Sequence, residues 1–229
     1  MRKGDLRKQQ IMATAEKMFL QLGFERCAVQ DIIDALRISK GGFYHHFETK
    51  YALLEAICRE RIRFTLEKRL AAFPEDASPV NRINLLYGIT GLFSIDDPLF
   101  TAMLINAAMK PEGAQLRYAM LETGREQVLP LLEKAVSDGK DNGELFPVLP
   151  VAAAAGVVYL LGNSMFEEIA KDIAEDVPSA MDKAAEILGT YRRTAEVVLG
   201  APYRSIELAD LRRIVQIARI LKEDPRLRY

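Results

Sequence analysis

The spacing of apolar residues constrains the fold of this chain more than any other feature of its sequence. In almost every segment apolar side chains return about every 3.6 residues, as on one face of an α-helix, and no stretch alternates apolar and polar residues over the length of a strand. A clear example is the set Val29, Ile32, Ile33 and Leu36. The 229 residues therefore predict an all-α protein.

Turn and cap residues divide the chain into predicted helices. The first ends at Gly23, the second covers 29–36, and Ser39 is a candidate N-cap for a short third helix. Thr49 offers a cap to a long fourth helix that reaches Phe73, just before Pro74. Further helices are predicted at 80–93, 97–109, 114–137, 150–171, 179–199 and 205–223.

Composition and targeting signals favour an ordinary cytoplasmic chain. The charged N-terminal stretch "MRKGDLRKQQ" has no apolar region behind it, so we predict no secretory signal. The longest apolar run, residues 151–162, is too short to span a membrane. Cys27 and Cys58 lack a Cys-x-x-Cys spacing and are expected to be buried thiols.

Charge is distributed unevenly along the sequence. Lys and Arg exceed Asp and Glu by 3 in residues 1–50 and again by 3 in residues 201–229, whereas residues 51–200 carry an acidic excess of 7. A basic head on an acidic body is typical of a small nucleic-acid-binding module attached to a domain that does not bind nucleic acid. The acidic excess is either a solvated face or an attraction for a cationic ligand.

The short third helix lies in the segment "ISKGGFYHHFETK", residues 38–50, and its composition is unfavourable for a helix. Gly41 and Gly42 each cost about 1 kcal/mol relative to alanine. A helix, a tight turn and a second helix form the arrangement that presents the second helix to the major groove of DNA. Glycines there would let the main chain approach the duplex closely, while free helical N–H groups bind phosphate. The apolar seam that would offset their cost consists of Leu36, Ile38, Phe43 and Phe47.

The exposed side of the same helix offers residues for two kinds of DNA contact. Tyr44, His45 and His46 can donate to phosphates, and Lys50 at the start of the fourth helix is a predicted phosphate clamp. Lys40 is the best candidate base reader, since lysine donates to guanine O6 or N7. Gln30 on the preceding helix could contact adenine or a phosphate. The adjacent histidines point about 100° apart on a helix, which does not suit a metal site.

Residues 7–57, above all "ISKGGFYHHFETKYALLEAI", resemble the DNA-binding domain of the TetR (tetracycline-repressor-like) family of transcriptional regulators. The resemblance depends on a Ser-x-Gly turn followed by an aromatic residue, Tyr, two variable positions, Phe, and Lys three residues later. The positions that match DNA-facing sites of the family are Gln30, Ser39, Lys40, Gly41, Gly42, Tyr44, His45, His46 and Lys50. One departure is that Cys27 and Ala28, both poor caps, stand where the family usually has a threonine that caps the second helix.

The resemblance implies a ligand-responsive repressor that binds a palindromic operator as a homodimer and is released by a small-molecule effector. Residues 1–50 would form the helix-turn-helix domain, and residues 51–229 a helical domain for effector binding and dimerisation, with 205–223 as an extra helix. Neither a metal nor another cofactor is implied. Dimerisation is expected through the helices near 150–171 and 179–199, where the small residues of "AAAAG" fit a subunit interface or a crossing within one chain.

Aromatic and methionine residues of the body are candidates for an effector pocket, although core packing is the more frequent explanation for any one of them. They are Phe93, Phe100, Met103, Met109, Tyr118, Met120, Tyr159 and Phe166. The helix at 205–223 has so wide an apolar face that it must dock on another surface, by default its own body.

Two alternatives are a helical small-molecule-binding dimer without DNA-binding activity and an all-helical enzyme. A di-metal helical bundle needs Glu-x-x-His pairs, and this chain has none. No nucleophile elbow, P-loop or dinucleotide fingerprint is present either. We therefore expect no enzymatic activity, whereas charge alone does not separate the first alternative from a DNA-binding protein.

Overall fold

The computed structural model describes residues 3–88, 96–177 and 179–227, and within them all regular secondary structure is helical, as predicted. The N-terminal part comprises α1 (Lys3–Leu22), α2 (Val29–Leu36), α3 (Lys40–Tyr44) and α4 (Lys50–Ala71). The rest comprises α5 (Pro79–Tyr87), α6 (Pro98–Ala108), a 3-10 turn (Pro111–Gly113), α7 (Ala114–Gln127), α8 (Leu129–Asp141), α9 (Val151–Ala174), α10 (Ala180–Leu199) and α11 (Leu211–Glu223). In this part of the chain no helix is both long and apolar enough to cross a bilayer.

The start of α2 is capped from within its own first turn. Ala28 has no side-chain acceptor, but its N–H donates to the carboxylate of Asp31 at 2.8 Å. At the other end Arg37 adopts a left-handed conformation with φ of 50°, which ends the helix and turns the chain toward α3. The carboxylate of Asp31 thus fixes the residue before the helix, although no side chain at position 28 serves as the acceptor that a threonine would supply, and α2 begins where the sequence predicted.

Packing beneath α3 outweighs its poor helix propensity. Phe43 and Phe47 are 0% and 4% exposed, and each such side chain contributes about 1.5–3 kcal/mol when buried. This gain exceeds the cost of about 1 kcal/mol for each of the two glycines. Ser39 adds an N-cap, because its Oγ accepts from the N–H of Gly42 at 3.0 Å. The partly buried Leu36 and Ile38 complete the predicted seam.

The remaining helices pack into a body that α4 connects to the N-terminal head. α10 packs along α9, α5 against α8, and α11 against α6, while α4 packs against both α1 and α7. Because α4 belongs to both packing units, a movement of α7 has a direct route to the head.

The prediction of one helix at 114–137 was wrong, since α7 and α8 are separate. Pro130 explains the break: it has no N–H to donate, and its ring would clash with the carbonyl four residues earlier in a continuous helix. Proline is tolerated in the first turn of α8, where N–H groups have no helical partner. The apolar period continues across the break, which is why the pattern suggested one helix.

The last helix begins later than the predicted 205–223. Asp210 caps α11 by accepting from the N–H of Arg212 at 2.9 Å, and residues 201–210 form an irregular crossing segment instead. The side chain of Asn84 on α5 holds this segment through the carbonyl of Ser205 and the N–H of Glu207, both at 2.9 Å. The end of the predicted helix 80–93 lies outside the described residues.

Candidate nucleic-acid interface

The outer surface of α3 presents the residues predicted to face DNA. Ser39, Lys40, Gly41, Tyr44 and His45 are exposed. Gly42 and His46 are half-buried beside them. The two sides of the helix therefore differ sharply, since the buried rings anchor it and the exposed side is polar and cationic.

Packing within the protein does not explain the glycine at position 41. A Cβ added to Gly41 would have no described atom within 4 Å, whereas one added to Gly42 would lie 3.2 Å from the capping Oγ of Ser39. Position 41 also has no positive φ that would require glycine. The fold itself therefore does not require glycine at position 41.

The aromatic and imidazole rings at the end of α3 form a continuous edge. Tyr44 packs edge-on against Phe43 at 5.3 Å between ring centroids, and the rings of His45 and His46 meet at 5.1 Å. The pKa of His46 is lowered by burial and by electrostatic repulsion of its charged form by His45, Lys8 and Arg7. An anion bound here would reverse that shift.

Sequence reasoning missed two basic residues of this surface, Arg7 and Lys8 on α1. Both are exposed, both act on the pKa of His46, and Lys8 Nζ lies 5.7 Å from the centroid of Phe47. They extend the cationic surface of α3 toward α1. The basic residues of the N-terminal stretch were visible in the sequence. Because they are more than 30 residues from α3 in the chain, the sequence did not indicate that the two lie side by side.

The ammonium group of Lys50, a predicted phosphate clamp, is directed at main-chain carbonyls of the protein. This group donates to the carbonyls of Phe24 at 2.7 Å and of Glu25 and Cys27 at 3.2 Å, and lies 4.4 Å from the ring centroid of Phe24. Burial lowers the pKa of Lys50, an effect that Glu25 opposes. Because an ammonium has three donors and three carbonyls take them, Lys50 fixes the loop between α1 and α2, and a contact with phosphate would require exchange of one of these hydrogen bonds.

Gln30 is exposed on α2, and its amide nitrogen donates to Oδ1 of Asp34 at 2.7 Å. This bond uses one of the two N–H donors of the amide, so a contact with DNA through the other would not require its exchange.

A groove of about 490 Å³ lies between α7 and α9. Of the residues predicted for an effector pocket, Tyr118 and Met120 line it. Asn163 and Ser164 add polar groups, and Arg117 and Glu167 form an ion pair of 3.0 Å at its side.

The other predicted pocket residues do not line this groove. Phe100, Met103, Tyr159 and Phe166 are at most 1% exposed and belong to the core, and Met109 packs partly buried against it. The hydroxyl of Tyr159 donates to the carbonyl of Leu121, and burial raises its pKa to about 12. Phe93 lies outside the described residues. Periodicity did not distinguish an aromatic residue of the core from one that lines a groove.

Comparisons with known proteins agree with this geometry. Residues 11–57 match the family model of bacterial regulatory proteins of the tetR family. The HTH-type transcriptional regulator UidR of Escherichia coli strain K12 is 24% identical over 185 residues, which cover 80% of this chain and 91% of that protein. The HTH-type transcriptional repressor DhaR of Mycobacterium sp. strain GP1 is 26% identical over 140 residues, which cover 60% of this chain and 69% of that protein.

Solved structures show the same fold. The reduced form of E. coli NemR aligns with a TM-score of 0.52 and 22% identity over 86% of this chain and 99% of that one. The fatty acid degradation regulator FadR of Bacillus halodurans aligns with a TM-score of 0.54 and 17% identity over 89% and 99%. The helix-turn-helix head, residues 11–57, thus matches the tetR family of bacterial regulatory proteins, and the chain as a whole is similar in fold to solved regulators that share this head.

Proposed function

We propose that the protein is a repressor that binds a palindromic operator as a homodimer and is released by a small-molecule effector. The observation that carries the proposal is the two-sided α3, in which Phe43 is fully buried while Lys40, Gly41 and Tyr44 face outward. Such a helix gains nothing within the protein from its exposed glycine. A duplex that the main chain must approach closely accounts for it.

In this proposal base reading and phosphate binding are separate tasks. Lys40 at the N-terminal end of α3 reads a base edge in the major groove. Tyr44, His45 and His46 bind phosphates, together with Arg7 and Lys8 on α1. Ser39 accepts from Gly42 through its oxygen and can still give its own hydroxyl proton to a phosphate.

An exposed apolar face on α9 and α10 supports a symmetric dimer. Val157, Leu160 and Val197 are 36%, 48% and 49% exposed. Phe146 and Val148 extend this face with 70% and 65% exposure, and the N–H of Val148 donates to the carbonyl of Val198 at 3.1 Å. A second copy related by a two-fold axis would cover it and place two α3 helices in successive major grooves, roughly 34 Å apart.

We assign the effector to the groove between α7 and α9. An occupant between Tyr118 and Asn163 would move α7 relative to α9, and α7 packs against α4, which enters the head. Leu160 lines the groove and also belongs to the proposed dimer face, so the occupant would change the relative position of the two protomers as well. To convert a mostly bound population into a mostly free one, the effector must prefer the released form by about 5 kcal/mol.

Selection of genomic fragments with the purified protein tests the proposal. A palindromic sequence should be enriched, and its affinity in fluorescence anisotropy should fall steeply with added salt. Lys40→Ala should retain binding but relax the preference at one base pair of each half-site. If no fragment is retained even at low salt, the protein is instead a small-molecule-binding dimer without DNA-binding activity.

A further inference from the structure

The residues that follow α11 return to the DNA-binding head. Arg226 donates from its guanidinium to the carbonyl of Leu20 at the end of α1, and Arg26 Nη2 donates to the carbonyl of Pro225 at 2.9 Å. Leu227 is only 6% exposed. We call residues 224–227 the C-terminal strap.

The head is shaped to receive this strap at Gly23. Gly23 is buried, has a φ of +89° and follows the last residue of α1. A Cβ at this position would lie 2.3 Å from the carbonyl oxygen of Arg226, which is closer than any side chain permits. Glycine therefore serves both the left-handed turn and the close approach of the strap.

The other end of the strap is fixed to the body. α11 packs against α6, with Ile214 and Ile217 at 1% and 0% exposure, and Lys222 Nζ pairs with Oδ1 of Asp176 at 3.0 Å. Asp224 then holds Arg226, because Arg226 Nε donates to Asp224 Oδ1 at 2.8 Å. The strap thus joins the body to the head at a point distant in sequence from α4.

The loop that the strap grips, residues 23–27, is held from two further sides. Lys50 at the start of α4 donates to three of its carbonyls, and Lys110 of the body forms an ion pair of 3.1 Å with Glu25. This loop leads directly into α2, against which α3 packs. Its position relative to the body therefore sets the direction in which α3 points.

We propose that the C-terminal strap positions the DNA-reading head: Arg226, seated on Gly23 and Leu20, restricts the orientations of α3 relative to the body. Arg226 contacts no DNA in this proposal. It raises operator affinity by increasing the fraction of molecules whose heads already have the binding orientation, since apparent affinity scales with that fraction.

Single-molecule energy transfer tests the positioning directly. Dyes are attached to cysteines introduced at the exposed Ala35 on α2 and at Lys134 on α8, and labelled chains are diluted into excess unlabelled protein. The native Cys27 and Cys58 are at most 1% exposed, and burial raises the pKa of Cys27 to about 11, so they react slowly. We expect a narrow distribution of transfer efficiencies for the parent chain, a broader one for Arg226→Ala, and partial recovery of the narrow one for Arg226→Lys.

Two glycine variants provide a matched comparison. Gly23→Ala should broaden the distribution as Arg226→Ala does, because its Cβ displaces the strap. Gly143→Ala places alanine at a similar φ of +77°, but no described atom lies within 4 Å of its Cβ. This variant therefore has the backbone strain without a displaced strap, and its distribution of transfer efficiencies should match that of the parent chain. Circular dichroism confirms that each variant is folded before it is measured.

Titrations with a selected operator provide the functional measurement. Arg226→Ala should bind several-fold more weakly with an unchanged salt slope, because it loses no phosphate contact. Unchanged energy-transfer distributions in folded Arg226→Ala, or unchanged operator affinity, would each overturn the proposal. Energy transfer needs no DNA, so a parent chain that fails to bind DNA would contradict the proposed repressor and not the head-to-body positioning.

Discussion

Lys50 directs its ammonium group at main-chain carbonyls of the loop between α1 and α2, so its substitution should act on stability. Lys50→Met keeps the apolar stem but leaves the carbonyls without a charged donor, and we expect the free energy of unfolding to fall by about 1–2 kcal/mol in urea denaturation. The salt slope of operator binding should not change. Lys8→Ala, on the exposed surface of α1, should show the opposite behaviour, with unchanged stability and a slope smaller by about one ion. If Lys50→Met is as stable as the parent chain and its operator binding depends less on salt, Lys50 is a phosphate clamp after all.

His46 should make operator binding dependent on pH. In the free protein burial, His45, Lys8 and Arg7 lower its pKa, whereas a phosphate beside it in the complex would raise it. The complex then binds more protons than the free protein, so affinity rises as pH falls through the pKa of the complex and levels off below that of the free protein. Anisotropy titrations at constant ionic strength between about pH 8 and pH 5 should show this rise.

Two variants separate His46 from its neighbours. His46→Asn should flatten the pH dependence, whereas Tyr44→Phe should weaken binding and keep the dependence. If His46→Asn retains the full dependence, another group takes up the proton.

At the scale of the element, the glycine at position 41 of α3 should lower the stability of the helix and allow DNA to approach its main chain closely. A methyl group at Gly41 meets no described atom, so Gly41→Ala should stabilise the folded protein by up to about 1 kcal/mol through helix propensity. The same methyl group should weaken operator binding by preventing close approach. Thermal unfolding and anisotropy measure the two effects.

Gly189→Ala on α10 is the matched control for α3. A Cβ there also meets no described atom, so the stability gain should be similar. Because α10 carries part of the proposed dimer face, analytical ultracentrifugation first shows that the variant is still a dimer, and its operator affinity should then be unchanged. If Gly41→Ala binds as well as the parent chain, the argument from main-chain approach fails.

At the scale of the whole molecule, the apolar face on α9 and α10 should decide the oligomeric state. Val197→Glu would bury two unpaired carboxylates across a two-fold axis, which costs several kcal/mol. We expect a folded monomer in analytical ultracentrifugation, with normal circular dichroism and little operator binding. Phe64→Glu, which replaces a 65% exposed ring on α4, should remain a dimer. A dimeric Val197→Glu would show that the subunits meet elsewhere.

Much of the architecture could be predicted from local sequence patterns. The fold class, α2 and the anchoring of α3 by Phe43 and Phe47 followed from helical periodicity and from caps such as Ser39, because these depend on residues within one or two turns. The restriction to neighbouring residues also explains the errors in the predicted helix bounds. The apolar period continued across Pro130, so the break at this proline was not predicted, and the irregular segment before Asp210 was predicted to be helical.

The sequence by itself determined the helices and the outward residues of α3, since hydrogen bonds within a helix and its apolar stripe are set by neighbours in the chain. Only the tertiary structure decided the role of Lys50, whose acceptor in Phe24 lies 26 positions away, and the seat of Arg226 on Leu20, 206 positions away. The proximity of Arg7 and Lys8 to the proposed DNA-facing surface was decided in the same way. Contacts between distant segments depend on how whole helices pack, and no local pattern encodes which loop a particular donor will reach.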